Sequence, residues 1–306
     1  MNRINKLLFT ILSVSMLSLG ACKKNDKEAD LTSDVTVQSD DQAMFSEEND
    51  AISNEANLVV EGDMSLGRTT NGPICDATIT RDSTATTKGV TITYNDTATC
   101  SPRRKRTGVI KISMARNTRW RDVNATITID FINYKVTRVR DNKSVVLNGT
   151  KTITNQTGGL LRNLATRGPI VHLINSTGMN ATFDNATSRQ WQIAKKRTFT
   201  VNSGLVISTT GTHTDGSNND ISVWGTNRLG QQFATRIITP MVVREDCNFR
   251  LVSGKIEHTK ITRPITVTFG LDKNGMPVSC PAGMYYYKAE WTTAAGVARS
   301  VILPYN

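Results

Sequence analysis

Apolar and polar residues alternate one by one along most of this chain. The alternation is clear in four segments, at 90–95, 126–131, 265–269 and 285–291. A period of two with threonine on one side is typical of half-buried antiparallel strands. Turn dipeptides such as Asp215-Gly216 and Asn274-Gly275 lie between such runs. The pattern therefore predicts an all-β fold of large antiparallel sheets, arranged as a sandwich or as an open half-barrel.

One segment changes phase in the middle of its alternation. Ile127, Ile129 and Phe131 share one parity, whereas Tyr134 and Val136 share the other, together with Ile132. A strand keeps both sets on its core face only if one extra residue is inserted. We therefore predict a β-bulge near Phe131 or Ile132.

A weak internal repeat accompanies the strands. The run 90–94 is followed by Cys100 and a further strand, and the run 265–269 is followed in the same way by Cys280. Such an echo indicates two related β-meander halves.

The first 22 residues have the form of a bacterial lipoprotein signal. Arg3 and Lys6 precede a short apolar stretch at 7–19, and the stretch ends in Leu19-Gly20-Ala21-Cys22. An uncleaved anchor helix and an ordinary secretory signal are the alternatives. Small residues directly before a cysteine favour lipidation of Cys22, and two or more acyl chains suffice for stable anchoring.

Charge divides the rest of the chain into two parts. Residues 23–63 hold 12 acidic residues and three lysines, whereas residues 64–306 hold 32 basic and 14 acidic residues. The acidic part has few apolar clusters, so we expect a disordered tether with a reach of about 35 Å. The predicted organisation is a signal peptide at 1–21, a lipidated cysteine and tether at 22–63, and a basic all-β domain at 64–306.

Four cysteines remain after Cys22 is assigned to the lipid. In an exported protein the even set Cys75, Cys100, Cys247 and Cys280 indicates two disulfides. Three connectivities exist, and we favour Cys75–Cys100 with Cys247–Cys280 because both close short loops. Free buried thiols are the alternative.

The body contains threonine-rich strand–turn–cysteine blocks and the segment Asn-Gly-Thr-Lys-Thr-Ile-Thr-Asn at 148–155. In these motifs it resembles a family of uncharacterised lipoproteins of Bacteroidota. The resemblance implies an all-β envelope protein and provides no catalytic residues. The basic run at 103–106 departs from the acidic hairpins of that family.

Basic clusters are the positive signal for function. The domain's net charge of +18 attracts anionic partners, and arginine binds phosphate, sulfate and carboxylate groups in a bidentate manner. An exposed tryptophan can also stack on a sugar ring. The alternative is that these cations only solvate turns and strand edges. The candidate ligand-binding residues are Arg103, Arg104, Lys105, Arg106, Arg119, Trp120, Arg121, Trp191, Lys195, Lys196 and Arg197.

Other chemistry is not indicated by the sequence. The three histidines are isolated, and no metal motif, cofactor motif or nucleophile motif occurs. We therefore expect no metal, cofactor or catalytic residue, and no specific nucleic acid. The favoured hypothesis is a lipid-anchored envelope protein of the outer membrane that binds an anionic glycan, lipopolysaccharide or an envelope protein. The periplasmic and surface faces both stay open. The alternatives are a lipid or protein carrier with a concave apolar sheet, or an unrecognised hydrolase.

Overall fold

The described part of the chain forms one large antiparallel sheet that wraps around one long helix. The structure is a computed structural model, and it describes residues 26–62, 74, 76–97, 103–259, 264–281, 283–293 and 295–305. The predicted all-β class is confirmed, since fifteen strands of the described residues belong to a single sheet.

The elements follow the alternating segments closely. The helices are α1 (Asp26–Glu61) and the single turn α2 (Leu164–Arg167), with short 3₁₀ turns at Leu161–Asn163 and Glu245–Cys247. The strands are β1 (Ala77–Arg81), β2 (Thr87–Asn95), β3 (Arg104–Ala115), β4 (Ala125–Arg138), β5 (Ser144–Asn155), β6 (Ile170–Phe183), β7 (Ser188–Val201), β8 (Leu205–Gly211), β9 (His213–Asp215), β10 (Asn218–Thr226), β11 (Gln232–Arg244), β12 (Arg250–Thr259), β13 (Ile265–Leu271), β14 (Tyr285–Thr292) and β15 (Ala298–Tyr305).

Strand order is almost sequential. The main path runs from β1 to β7, continues through β10 and β11, and then proceeds to β15. Strand β8 pairs with β7 and β11, and β9 pairs with β10. Because every neighbour is antiparallel, consecutive strands are joined mostly by short turns at alternate ends of the sheet.

The predicted bulge is present in β4. Phe131 pairs with Gly149 and Tyr134 pairs with Leu147, so two residues of β4 oppose the single Asn148 of β5. The prediction was wrong in one detail, because Ile132 is 40% exposed and lies outside the core. Gly108 faces the bulge with a φ of +94°, and a Cβ there would lie 2.2 Å from the carbonyl oxygen of Asn133. The bulge therefore requires glycine on the neighbouring strand.

Helix α1 is the largest departure from the sequence prediction. The acidic segment is helical over 36 residues rather than a disordered tether. Its inner face is packed from Gln38 onward, and Phe45, Ile52 and Ala56 are at most 1% exposed. Composition suggests disorder because the segment cannot bury apolar surface by itself. The sheet supplies the partner surface that the segment lacks.

The sheet curls around α1. Side chains of the helix contact β2, β3, β4, β5 and β7 and the turn after β10. Three successive residues of the helix, Glu48, Asn49 and Asp50, contact β3, β5 and β7. On a flat sheet β3 and β7 would lie about 19 Å apart, at roughly 4.8 Å per strand, whereas a helix is about 10 Å wide. The strands must therefore surround the helix, and this concave surface is called the groove below.

The strands beyond the groove have cores of their own. Residues of β11–β14 form a separate buried cluster that includes Ile256, Val267 and Ala289. Beside it a disulfide joins Cys247 and Cys280 with a Cα–Cα distance of 5.0 Å, in agreement with the pairing favoured from the sequence. The other predicted disulfide, Cys75–Cys100, lies outside the described residues, as does Cys22.

Candidate functional site

The groove carries a set of cations that face the carboxylates of α1. Five acidic residues of the helix, spread over four turns, are each held by one or two basic side chains of the sheet. The pairs are Arg138 and Lys143 with Asp40, Arg228 with Asp41, Arg104 with Glu48, Lys195 and Arg197 with Asp50, and Arg106 with Glu55. Many carboxylates of the acidic helix are thus neutralised by cations of the basic β domain inside the molecule.

The ion pairs have short hydrogen bonds at both ends of the paired segment of α1, at Asp40 and at Glu55. Arg138 donates two hydrogen bonds to Asp40, at 2.7 and 2.8 Å, and Lys143 donates another at 2.8 Å. Burial acts to raise the pKa of Asp40, but the hydrogen bonds from Arg138 and Lys143 outweigh it and lower the pKa to about 2. At the deeper end, Arg106 bonds Glu55 at 2.7 Å and lies over the Tyr94 ring.

Lys151 is the most enclosed cation of the groove. It is 1% exposed, and its Nζ donates to the carbonyl oxygen of Asn49 at 2.6 Å and to the Ser53 hydroxyl at 2.9 Å. Burial holds the pKa of the ammonium well below its usual value. Its hydrogen bonds to the helix tie β5 to α1.

The structure divides the predicted ligand-binding residues into two groups. Arg104, Arg106, Lys195 and Arg197 face the groove and are paired with α1, so they are not available to an external ligand. The exposed members are Arg103, Lys105, Arg119, Arg121 and Lys196. Strand alternation explains the division, because neighbouring residues of a strand point to opposite faces.

Neither candidate tryptophan presents an exposed ring. Trp120 is 3% exposed, and its indole N–H donates to Asn57 of the helix at 3.0 Å. Trp191 is fully buried and packs against Phe45 with ring centroids 4.6 Å apart. The expectation of sugar stacking on these side chains is therefore wrong. Both rings instead hold the sheet against α1.

Burial of Trp120 explains why its neighbours are exposed. The turn at 119–122 is closed by a hydrogen bond from the Asp122 amide to the Arg119 carbonyl at 2.9 Å. The Asp122 carboxylate in turn accepts from the Arg119 amide at 2.8 Å. With the indole inserted inward, the side chains of Arg119 and Arg121 are left on the solvent side of the turn.

A second loop packs against this turn and adds two more arginines. The Gly159 amide donates to the Arg121 carbonyl at 2.8 Å. Gly158 has a φ of +67°, and a Cβ there would lie 2.8 Å from the same carbonyl oxygen, so the close approach requires glycine. Shortly after these glycines come Arg162 and Arg167, which are both exposed.

We call Arg119, Arg121, Arg162 and Arg167 the distal arginine patch. It lies at the end of the groove where α1 finishes, since the Glu61 carboxylate accepts from the Leu161 amide at 2.6 Å. Within the described ranges no carboxylate lies in ion-pair distance of any of the four guanidinium groups. The carboxylates of Asp122 and Glu61 are engaged by backbone amides instead.

Arg162 and Arg167 were missed from the sequence. They are separated by four residues and show no obvious basic run. The neighbouring Thr157-Gly158-Gly159 turn was the available signal, but only the packing of two loops places them beside Arg119 and Arg121.

A shallow cleft of about 320 Å³ borders the patch. Its walls are aliphatic, and one arginine and one glutamate are the charged residues among those that line it. The lining residues are Leu161, Arg162, Leu164, Ala165, Val201, Gly204, Leu205 and Glu245. The Glu245 carboxylate accepts from the Leu205 amide at 2.6 Å, which holds it on one wall. The distal end thus combines unpaired cations with an apolar depression.

Comparison with protein-family models, curated proteins and solved structures gave no match. Across the described residues, the structure has no helix with the length and hydropathy needed to cross a membrane.

Proposed function

We propose that the protein is a non-catalytic, lipid-anchored envelope protein whose basic β domain binds an anionic glycan, lipopolysaccharide or an acidic protein partner. In this proposal Cys22 carries the lipid and the outer membrane is the site of anchoring. The distal arginine patch is the binding surface.

The observation that carries the proposal is the exposure of the four arginines of the distal patch and their lack of carboxylate partners among the described residues. They are exposed, they lie on two loops that hydrogen-bond to each other, and none is paired with a carboxylate of the described residues. Planar guanidinium groups in such an arrangement bind phosphate, sulfate or carboxylate groups in a bidentate manner. Ion pairing with α1, by contrast, explains the cations of the groove.

The filled groove argues against the carrier hypothesis. A carrier needs an accessible apolar concavity, whereas here α1 occupies the concave face from Gln38 to Glu61. Binding through the groove would require removal of a helix that is held by five carboxylates and several buried apolar side chains. The outer surface is therefore the better location for a ligand.

The test is a comparison of two charge-matched triple variants in the full-length mature chain. One variant replaces Arg119, Arg121 and Arg167 with glutamine, and the other replaces the exposed Arg103, Lys105 and Lys135, which lie in or directly beside β3 and β4. Binding to immobilised heparin and to lipopolysaccharide is measured against salt concentration. Each lost contact with an anionic group lowers the slope of log K against log salt by roughly 0.7–0.9.

We expect the distal variant to lose about two units of slope, while the control variant stays near the wild type. Equal losses in both variants would mean that binding reports net charge alone, and this would overturn the assignment to the patch. The anchor is tested separately, by metabolic labelling with an alkynyl palmitate. Labelling of the wild type that is no stronger than that of Cys22→Ser would refute lipid anchoring.

A further inference from the structure

The distal cleft and the arginine beside it have complementary chemistry. Leu161, Leu164, Val201 and Leu205 make an aliphatic surface, and the floor beneath them belongs to a buried cluster that contains Ile170 and Phe199. No aromatic ring lines the cleft among the described residues, so it offers no stacking surface. Its volume of about 320 Å³ is at the lower end of the range for small-molecule sites.

Arg162 gives the cleft a polar edge. Its side chain is exposed, and one guanidinium N–H donates to the Glu61 carbonyl at 3.0 Å. A guanidinium has five donors, so donors remain for an anionic group at the mouth of the cleft. Glu245, which also lines the cleft, repels an anion and thereby favours the arginine side.

From this juxtaposition we infer that the distal cleft binds an aliphatic acyl or alkyl chain whose anionic head group is held by Arg162. The inference rests on the proposed function, because it names the ligand class for the same end of the molecule: an anionic amphiphile rather than a purely polar polymer. The chain fills the aliphatic cleft, and the phosphate or carboxylate lies on the arginine side.

The probe is decyl phosphate below its micelle concentration, added to the full-length mature chain with Cys22→Ser so that the protein's own lipid does not interfere. Binding is measured by calorimetry and compared with decyl maltoside and with inorganic phosphate. We expect both comparison compounds to bind at least tenfold more weakly. Shortening the chain to octyl phosphate is expected to cost roughly tenfold, since each buried methylene contributes about 0.8 kcal/mol.

Three variants locate the ligand. Arg162→Gln is expected to weaken decyl phosphate about tenfold, whereas Glu245→Gln is expected to tighten it because a like charge is removed. Ala165→Trp places a bulky ring at the cleft and should abolish binding. Val123→Trp is the matched control, because Val123 is 62% exposed at the same end of the molecule but does not line the cleft.

Two outcomes would overturn the inference. Equal affinity for decyl maltoside would mean that the head group is irrelevant, and unchanged affinity in Ala165→Trp would place the chain elsewhere. A wild type that binds neither heparin nor lipopolysaccharide would refute the proposed function instead. In that case decyl phosphate binding still shows whether the cleft takes an anionic amphiphile.

Discussion

Phe45 provides the sharpest test of the arrangement of helix and sheet. It lies in the acidic segment whose composition predicts disorder, yet its ring is 1% exposed and packs on Trp191 at a centroid distance of 4.6 Å. Trp191 also contacts Phe183 and Phe233. The substitution Phe45→Ala would therefore open a cavity in the centre of the main core.

The expected cost follows from burial of the whole ring. Replacement of a buried phenylalanine by alanine costs about 3–5 kcal/mol, which includes the transfer of the ring and the cavity that remains. The ring contact with Trp191 accounts for roughly 0.5–1.5 kcal/mol of side-chain interaction beyond buried area. We expect the free energy of unfolding of Phe45→Ala to fall by about 4 kcal/mol.

The assay is urea unfolding followed by tryptophan fluorescence, combined with hydrogen exchange of the α1 amides. Leu58→Ala is the control, because Leu58 lies on the same helix and is 55% exposed; its effect should stay within about 0.5 kcal/mol. A loss below about 1 kcal/mol in Phe45→Ala, with α1 amides that exchange as fast as a free peptide, would refute the packed helix.

Three further predictions concern charge and the disulfide. Arg106→Gln should lower the free energy of unfolding by about 2–3 kcal/mol in denaturant titrations, because it removes the ion pair with the partly buried Glu55 and leaves that carboxylate with the Tyr94 hydroxyl as its partner. Lys105→Gln, on the outer face of the same strand, should cost less than about 0.5 kcal/mol, and similar values for both would contradict the groove pairing. The pKa of Asp40 is about 2 in the folded state and 3.8 as a free side chain, so ionisation of this carboxyl contributes about 2 kcal/mol to the free energy of unfolding above pH 4, and the contribution is lost as the pH falls to 2. Asp40→Asn should therefore flatten the dependence of the free energy of unfolding on pH over that range, and an unchanged dependence would disprove the prediction. Cys280→Ala should cost about 4 kcal/mol in thermal or urea unfolding because Cys247–Cys280 spans 33 residues. A reducing agent should destabilise the wild type more than the variant, and an equal effect on both would contradict this bond.

The strands were predictable because their signal is local. Alternation at 90–95 and 265–269 maps onto β2 and β13, and the phase change near Phe131 maps onto a real bulge. Each of these features depends on neighbours within a few residues, since a strand presents successive side chains to opposite faces. The exposure of Ile132 was not predicted, because the two residues of a bulge are not equivalent. After the bulge, Tyr134 and Val136 return to the core, whereas Ile132 does not.

Helix α1 could not be recognised from its pattern. Its inner face includes Gln42, Glu48, Asn49 and Ser53, all less than 5% exposed. Buried positions therefore recur with the helical period of 3.6 residues, but hydrophobic residues do not. Glu48 and Ser53 are bonded to Arg104 and Lys151 of the opposing sheet face, and that face is assembled from strands far away in sequence.

The candidate site depended on tertiary structure in the same way. The basic runs at 103–106 and 195–197 were visible in the sequence, but alternate members of each run point into the groove and are neutralised by α1. The distal arginine patch, by contrast, joins Arg119 and Arg121 to two arginines about 40 residues further along the chain. Only the packing of the two loops at Gly158 brings them together.

By itself the sequence determined the all-β class, the turns, the bulge and the division into an acidic and a basic part, because these properties are set by residue type and short-range spacing. Tertiary structure alone decided that the acidic part is a helix inside the sheet and that most of the groove's cations are matched internally. It also decided which arginines of the described residues stay exposed without a carboxylate partner. The physical reason is that charge pairing and burial depend on distances between residues remote in the chain, which residue order does not specify.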